Sequence, residues 1–132
     1  MPERNRVLFV CLHASAKSLI AAEYFNKCAA EQGMPFRALS AGTEPDKSVP
    51  PHVAAGMRGD GFDVSARTPL RLTRALAAPA RIAVSFEPDL SDYVPQGCMV
   101  ERWSVPAVSD DYAIARDAIK ARVDALLAKL AK

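Results

Sequence analysis

The sequence predicts an α/β fold in which helices cover both faces of a four-stranded parallel sheet, a three-layer αβα sandwich. Short apolar runs of strand length alternate along the chain with longer segments of helical periodicity. The first run, at residues 7–10, contains no polar residue, which is typical of a strand buried on both faces. The length of 132 residues suits one hydrophobic core, so we expect a single domain over residues 1–132.

The predicted elements follow from the periodicity of each segment and from the turn residues between them. After the first strand, residues 17–32 form a helix whose apolar stripe contains Ile20, Tyr24 and Cys28, and Gly33 ends it. We therefore expect Cys28 to be a core residue. The remaining elements are, in order, a strand at 36–41 closed by Gly42, a short helix at 52–58, a strand at 81–86, a strand at 98–103 and a long helix at 112–130.

The last helix is predicted to begin after a polar cap and to bury one face. Asp110 and Asp111 directly precede it, where a carboxylate can accept hydrogen bonds from the first free N–H groups of a helix. The apolar positions expected on its buried face are Ile114, Ala118, Ala121, Val123, Leu126, Leu127 and Leu130.

Composition and charge narrow the possible functions. A net charge of +2 is too small to indicate a nucleic acid or an anionic membrane as a partner, and the three arginines within residues 66–78 are interpreted as a solvated helix face or loop. The apolar run at residues 7–12 is shorter than the hydrophobic region of a signal peptide, which is about 7–15 residues long. Three cysteines without regular spacing favour a reducing compartment. We expect a cytoplasmic protein.

The stretch after the first strand predicts an anion site beside a thiol. Cys11 begins a loop of small and polar residues, and Ser18 lies in the first turn of the next helix. Free N–H groups of such a loop and helix terminus point into its concavity and attract an anion. A thiol at that positive end is favoured as the thiolate, which is the nucleophilic form. These residues predict a sulfur nucleophile beneath a bound oxyanion.

This stretch resembles the signature of the low-molecular-weight protein tyrosine phosphatases and of the arsenate reductases that share their fold. In that family a cysteine, five residues, an arginine and a serine follow a buried strand, and Cys11 and Ser18 match this spacing. A second match is Leu-Ser-Ala-Gly-Thr-Glu-Pro at residues 39–45. The resemblance continues through residues 83–86, residues 101–103 and the last helix, so it covers nearly the whole chain.

The resemblance implies a phosphatase that cleaves phosphate monoesters through a phospho-intermediate on Cys11, with no metal and no cofactor. Lys17 and Ser18 would act with Cys11 on the phosphoryl oxygens, and Ser18 would also help the sulfur to leave. The remaining substrate-binding groups would be the backbone N–H groups of the loop, contributed by Leu12, His13, Ala14, Ser15 and Ala16.

Two departures from the family's pattern concern the signature arginine and the aspartate that donates a proton. Lys17 stands in place of the arginine. This substitution keeps the positive charge but loses the bidentate hydrogen bonds that a guanidinium makes. Phosphatases of the family carry an Asp-Pro pair on a late loop, whereas residues 104–108 contain no acid. Asp110 and Asp111 follow closely and are possible displaced acids, although capping is the expected role of both.

A third departure lies inside the loop. His13 and Ala14 stand where the family has glycine and asparagine, and that asparagine normally helps to hold the loop in shape. Ser15 or His13 would take over part of this work. The alternatives for His13 are a contact with substrate, an increase in the thiolate fraction of Cys11, and a solvent-facing role.

Two alternative functions use the same fold. The first is an arsenate reductase with a single cysteine that passes its product to an external thiol or redoxin; some such enzymes carry lysine at the signature position. Residues 87–97 contain no cysteine, so an internal disulfide cascade is not expected. The second is a non-catalytic protein that binds an oxyanion. In each case we expect a phosphate, arsenate or similar oxyanion ligand, no nucleic acid or membrane partner, and a monomer or weak dimer.

Overall fold

The computed structural model describes residues 5–131 and confirms the α/β fold. Every predicted strand and helix is present, with its ends displaced by no more than one residue. A short additional helix lies within the segment predicted as a helix face or loop. The elements are, in chain order, β1 (Arg6–Cys11), α1 (Lys17–Glu31), β2 (Arg37–Gly42), α2 (Pro51–Gly59), α3 (Arg74–Ala77), β3 (Ala80–Ser85), β4 (Met99–Arg102) and α4 (Tyr112–Leu130).

The four strands form one parallel sheet in the order β2-β1-β3-β4. The chain leaves β1 through α1 to reach β2 on one side, and then crosses back to place β3 on the other side of β1. In open sheets of this kind, ligands bind beyond the carboxyl ends of the strands at the point where the strand order reverses. Cys11 is the last residue of β1 and therefore lies at this point.

The pleat of β1 divides its side chains between two apolar layers. Phe9 lies on the face covered by α1 and α4, with its ring centroid 6.0 Å from that of Phe25 and 5.5 Å from that of Trp103. Cys11, two residues further along, joins the same layer. Leu8 points to the opposite face. Both faces are buried, which explains why this strand has no polar alternation.

The second face of the sheet is covered more thinly. Leu72, Ala77 of α3 and Leu90 pack there against the side chains of β1 and β3. Thr73 caps α3 by accepting a hydrogen bond of 3.0 Å from the Leu76 N–H. A four-residue helix and loop segments therefore complete the third layer of the sandwich.

The buried face of α4 differs from the predicted one. The prediction was wrong for Ile114, which is 57% exposed, and for Ala121, which is exposed. Packing against α1 decides which stripe of the helix is buried. That stripe is Ala115, Ile119, Val123, Leu126 and Leu127. No helix within residues 5–131, α4 included, combines the length and apolar character needed to cross a bilayer.

Cys28 lies on the apolar stripe of α1, as predicted, and is half-buried. Burial raises the pKa of its thiol, with the neighbouring carboxylates of Asp124 and Glu31 acting in the same direction. This environment disfavours the thiolate, so the geometry supports a packing role for Cys28.

Candidate active site

A cavity of about 250 Å³ opens at the carboxyl edge of the sheet, next to the end of β1. It is bounded by the loop after β1, the start of α2 and the segments that follow β3 and β4. The sequence-predicted site residues that line it are Cys11, His13, Ser15, Ala16 and Lys17. Its position agrees with the ligand site expected at the reversal of strand order.

The thiol of Cys11 is 4% exposed and is held by a chain of two hydroxyl groups. Its Sγ lies 2.9 Å from the Oγ of Ser18, which in turn lies 2.7 Å from the Oγ of Ser40 on β2. A thiolate can only accept hydrogen bonds, so in that state Ser18 donates to the sulfur and Ser40 donates to Ser18. The two hydroxyl groups are therefore placed so that both can donate along one chain towards the sulfur.

The loop between β1 and α1 turns its carbonyl groups towards the segment after β2. The carbonyl of Leu12 accepts from the Glu44 N–H at 2.8 Å, and that of His13 accepts from the Asp46 N–H at 3.0 Å. In a trans peptide the C=O and the following N–H point in opposite directions, so these bonds direct the next N–H groups away from that segment. Within residues 5–131, the N–H groups of residues 13–17 make no hydrogen bond. They are free donors for an anion.

Two backbone features allow the loop its shape. Ala14 has φ of 56°, in the left-handed region that costs an L-residue roughly 1–2 kcal/mol. Asparagine, which the family resemblance implies at this position, tolerates that region better. Gly42 lies directly against the loop, where a Cβ atom would be 2.5 Å from the Leu12 carbonyl oxygen and 2.8 Å from the Ala14 nitrogen. The loop can approach β2 only because residue 42 has no side chain.

The side chains of His13 and Ser15 bind the loop between β1 and α1 to the segment after β2. The Nδ1 of His13 lies 2.9 Å from the Glu44 carbonyl oxygen, and the Oγ of Ser15 donates to the Asp46 Oδ2 at 2.6 Å. The bond to the Glu44 carbonyl raises the pKa of His13 above its ordinary value, and the Asp46 carboxylate, 3.7 Å from Nδ1, adds to the effect. The side chains of His13 and Ser15 therefore hold the loop against residues 44–46.

Lys17 places a positive charge at the cavity, which the carboxylates Asp46 and Glu87 also line. Lys17 is half-buried at the start of α1, and no carboxylate within residues 5–131 forms an ion pair with its ammonium group. The N-cap residue of α1 is Ala16, which provides no side-chain cap for the first N–H groups. A lysine and an uncapped helix N-terminus together favour an anion in the cavity.

The two acids considered as displaced proton donors lie elsewhere. Asp111 caps α4, because its Oδ1 accepts from the Ile114 N–H at 3.1 Å. Asp110 is exposed, and neither residue lines the cavity. Ala107 does line it, at the position where the family resemblance implies the acid. The geometry therefore supports capping for Asp111 and gives no acid from the late loop.

Five residues at the site were missed in the sequence: Ser40, Gly42, Asp46, His52 and Glu87. Asp46 and Glu87 follow the two strands that neighbour β1, and polar residues after the carboxyl ends of adjacent parallel strands are a signal that points to one shared edge. The described part of the chain contains no group of three histidine, cysteine, aspartate or glutamate residues placed to hold a metal ion.

The comparisons with known proteins point to one family. Residues 6–109 match the family model described as low molecular weight phosphotyrosine protein phosphatase. A structure of an arsenate reductase from Archaeoglobus fulgidus is similar, with a TM-score of 0.75 and 26% identity over 92% of this chain and 98% of that chain. The comparison with curated proteins found no match.

Two further solved structures share the fold. A low molecular weight protein tyrosine phosphatase from T. tengcongensis gives a TM-score of 0.84, with 19% identity over 94% of this chain and 98% of that chain. An arsenate reductase in the phosphate-binding state gives a TM-score of 0.80, with 23% identity over 95% of this chain and 98% of that chain. Both activities thus occur on this fold.

Proposed function

We propose that this chain, which belongs to the low-molecular-weight phosphotyrosine protein phosphatase family, hydrolyses a phosphate monoester through a phospho-intermediate on Cys11. One observation carries the proposal: Cys11, Lys17 and the loop residues His13, Ser15 and Ala16, whose N–H groups are free, line one cavity. Such a set of donors binds the phosphoryl oxygens and holds the phosphorus close to the sulfur.

The reaction follows in two steps. In the first, the Cys11 thiolate forms a bond to phosphorus while the bond to the ester oxygen breaks and its electron pair leaves with that oxygen. In the second, water attacks phosphorus, the S–P bond breaks and the thiolate re-forms. The hydroxyl of Ser18, 2.9 Å from Sγ, stabilises the sulfur's negative charge in the first state and as the leaving group of the second step.

Arsenate reduction is the second candidate, and three features favour it. Lys17 replaces arginine, Ala107 provides no acid, and the arsenate reductase from Archaeoglobus fulgidus is 26% identical. Arsenate would bind to the same N–H groups and to the Lys17 ammonium. An external small thiol or redoxin would accept the product. A non-catalytic oxyanion-binding protein is the third candidate; the thiol beside the donors argues against it, because binding alone does not require a sulfur nucleophile.

One assay separates the three functions. We expect the purified protein to hydrolyse an aryl phosphate with a good leaving group, such as a nitrophenyl ester, without added thiol. Production of arsenite that depends on added thiol, with no ester hydrolysis, would replace the first proposal by the second. If neither activity is found but inorganic phosphate still binds, the third function is supported.

Replacing Lys17 with arginine tests the charge at the cavity. If the chain is a phosphatase limited by anion positioning, the guanidinium should tighten inhibition by inorganic phosphate and raise kcat/KM for the aryl ester several-fold. Lys47→Arg is the matched control, because Lys47 is exposed and lies outside the cavity lining. A loss of thiol-dependent arsenate reduction without a gain in ester hydrolysis would show that Lys17 suits the second function.

A further inference from the structure

Glu87 lies at the junction of β1 and β3, where the strand order reverses. Val10 pairs with Ser85, and the Phe86 N–H donates to the Val10 carbonyl at 2.9 Å, which places residue 87 beside the start of the Cys11 loop. The Nη2 of Arg102 donates to the Glu87 carbonyl at 3.1 Å. The backbone of Glu87 is therefore held from both neighbouring strands.

The side chain of Glu87 reaches the loop between β1 and α1, residues 12–16, which we call the anion loop. Its Oε1 accepts from the Leu12 N–H at 3.3 Å, the first N–H after the nucleophile, and its side chain lines the same cavity as Cys11. Asp46, the other carboxylate at this cavity, is already bound to the Ser15 hydroxyl at 2.6 Å. Glu87 makes no other side-chain hydrogen bond within the described part of the chain. It is the carboxylate that remains available at the cavity.

We infer that Glu87 is the proton carrier of this site and takes the place of the acid that the late loop lacks at Ala107. The inference rests on the proposed function. In this role the Glu87 carboxylate takes a proton from solvent when a phosphoryl dianion binds to the loop, because two negative charges then lie close together and one proton relieves their repulsion.

The proton balances the two chemical steps. As the Cys11 Sγ–phosphorus bond forms and the phosphorus–oxygen bond breaks, the leaving oxygen takes both the electron pair and the Glu87 proton, and departs as a neutral alcohol or phenol. The carboxylate of Glu87 then accepts a proton from the water that attacks the phospho-intermediate. Inorganic phosphate is released and the Cys11 thiolate is regenerated.

Leaving-group dependence gives the first test. Glu87→Gln keeps the shape and removes the proton, so kcat/KM for an ester with a poor leaving group, such as phenyl phosphate, should fall by about 10²-fold or more. The nitrophenyl ester, whose leaving group needs little protonation, should change only several-fold. Asp89→Asn is the control on the same loop: Asp89 is exposed, and asparagine keeps the acceptor that its Oδ1 offers to the Ser91 N–H at 2.9 Å.

Proton uptake on binding gives a second test that needs no turnover. Sulfate, a dianion that takes up no proton near neutral pH, is titrated by calorimetry in two buffers of different ionisation enthalpy, and the wild-type chain should take up more protons than Glu87→Gln. With sulfate, none of the protons counted belongs to the anion. The other charged or titratable groups at the cavity are unchanged in both proteins; they are Cys11, His13, Lys17, Asp46 and His52.

The outcomes separate this inference from the proposed function. If the wild type hydrolyses esters through Cys11 but Glu87→Gln changes neither the leaving-group dependence nor the proton count, the inference is overturned and the function stands. If no ester is hydrolysed, the proposed function fails. The number of protons taken up on anion binding is then the only test of the inference about Glu87. A smaller count in Glu87→Gln then supports Glu87 as the proton carrier beside the bound anion, and equal counts overturn it.

Discussion

Replacing Cys11 with serine is expected to abolish turnover while inorganic phosphate still binds within several-fold of the wild-type affinity. The hydroxyl is close to the thiol in size and can keep the contact with Ser18, but it is not ionised near neutral pH and is a poor nucleophile. Turnover is measured with a nitrophenyl ester, phosphate affinity by calorimetry, and the covalent phospho-intermediate by mass spectrometry after rapid quenching.

Cys28→Ser is the matched control for this substitution. Cys28 is half-buried on α1 and does not line the cavity, so the same change of sulfur to oxygen should leave turnover near that of the wild type. Residual activity in Cys11→Ser, or an intermediate carried by another residue, would contradict every mechanism that uses Cys11.

Gly42→Ala is expected to distort the anion loop and to lower phosphate affinity by more than tenfold. The added methyl group would lie 2.5 Å from the Leu12 carbonyl oxygen and 2.8 Å from the Ala14 nitrogen, and both are backbone atoms that cannot rotate away. Overpacking of this kind destabilises a fold by about 1–3 kcal/mol. The free energy of unfolding in denaturant and the dissociation constant for inorganic phosphate check the two effects separately.

Gly59→Ala provides the control for a glycine-to-alanine change. A Cβ atom at Gly59 would have no atom within 4 Å, and alanine is favoured over glycine in a helix by about 0.8–1.0 kcal/mol. We therefore expect unchanged phosphate affinity and equal or higher stability in this variant. Wild-type phosphate affinity in Gly42→Ala would show that the loop tolerates displacement from β2.

The sequence alone determined the order along the chain of every strand and helix except α3, and the position of Cys11 between β1 and α1. Apolar runs and their flanking turn residues are local signals, so the element bounds agree with the structure to within one residue. Cys11 was placed at the start of a loop between a buried strand and a helix, and β1 ends at this residue. The spacing from Cys11 to Ser18 was equally visible, because both residues belong to one continuous segment.

The tertiary structure alone decided what surrounds that segment. Ser40, Gly42 and Glu87 reach the Cys11 loop from β2 and from the end of β3, and no local pattern encodes which strands become neighbours of β1. The buried stripe of α4 was likewise decided by its packing against α1, so Ile114 is exposed although it is apolar. Periodicity fixes how side chains are distributed around an element, whereas contacts between distant segments fix which side chains meet at the site.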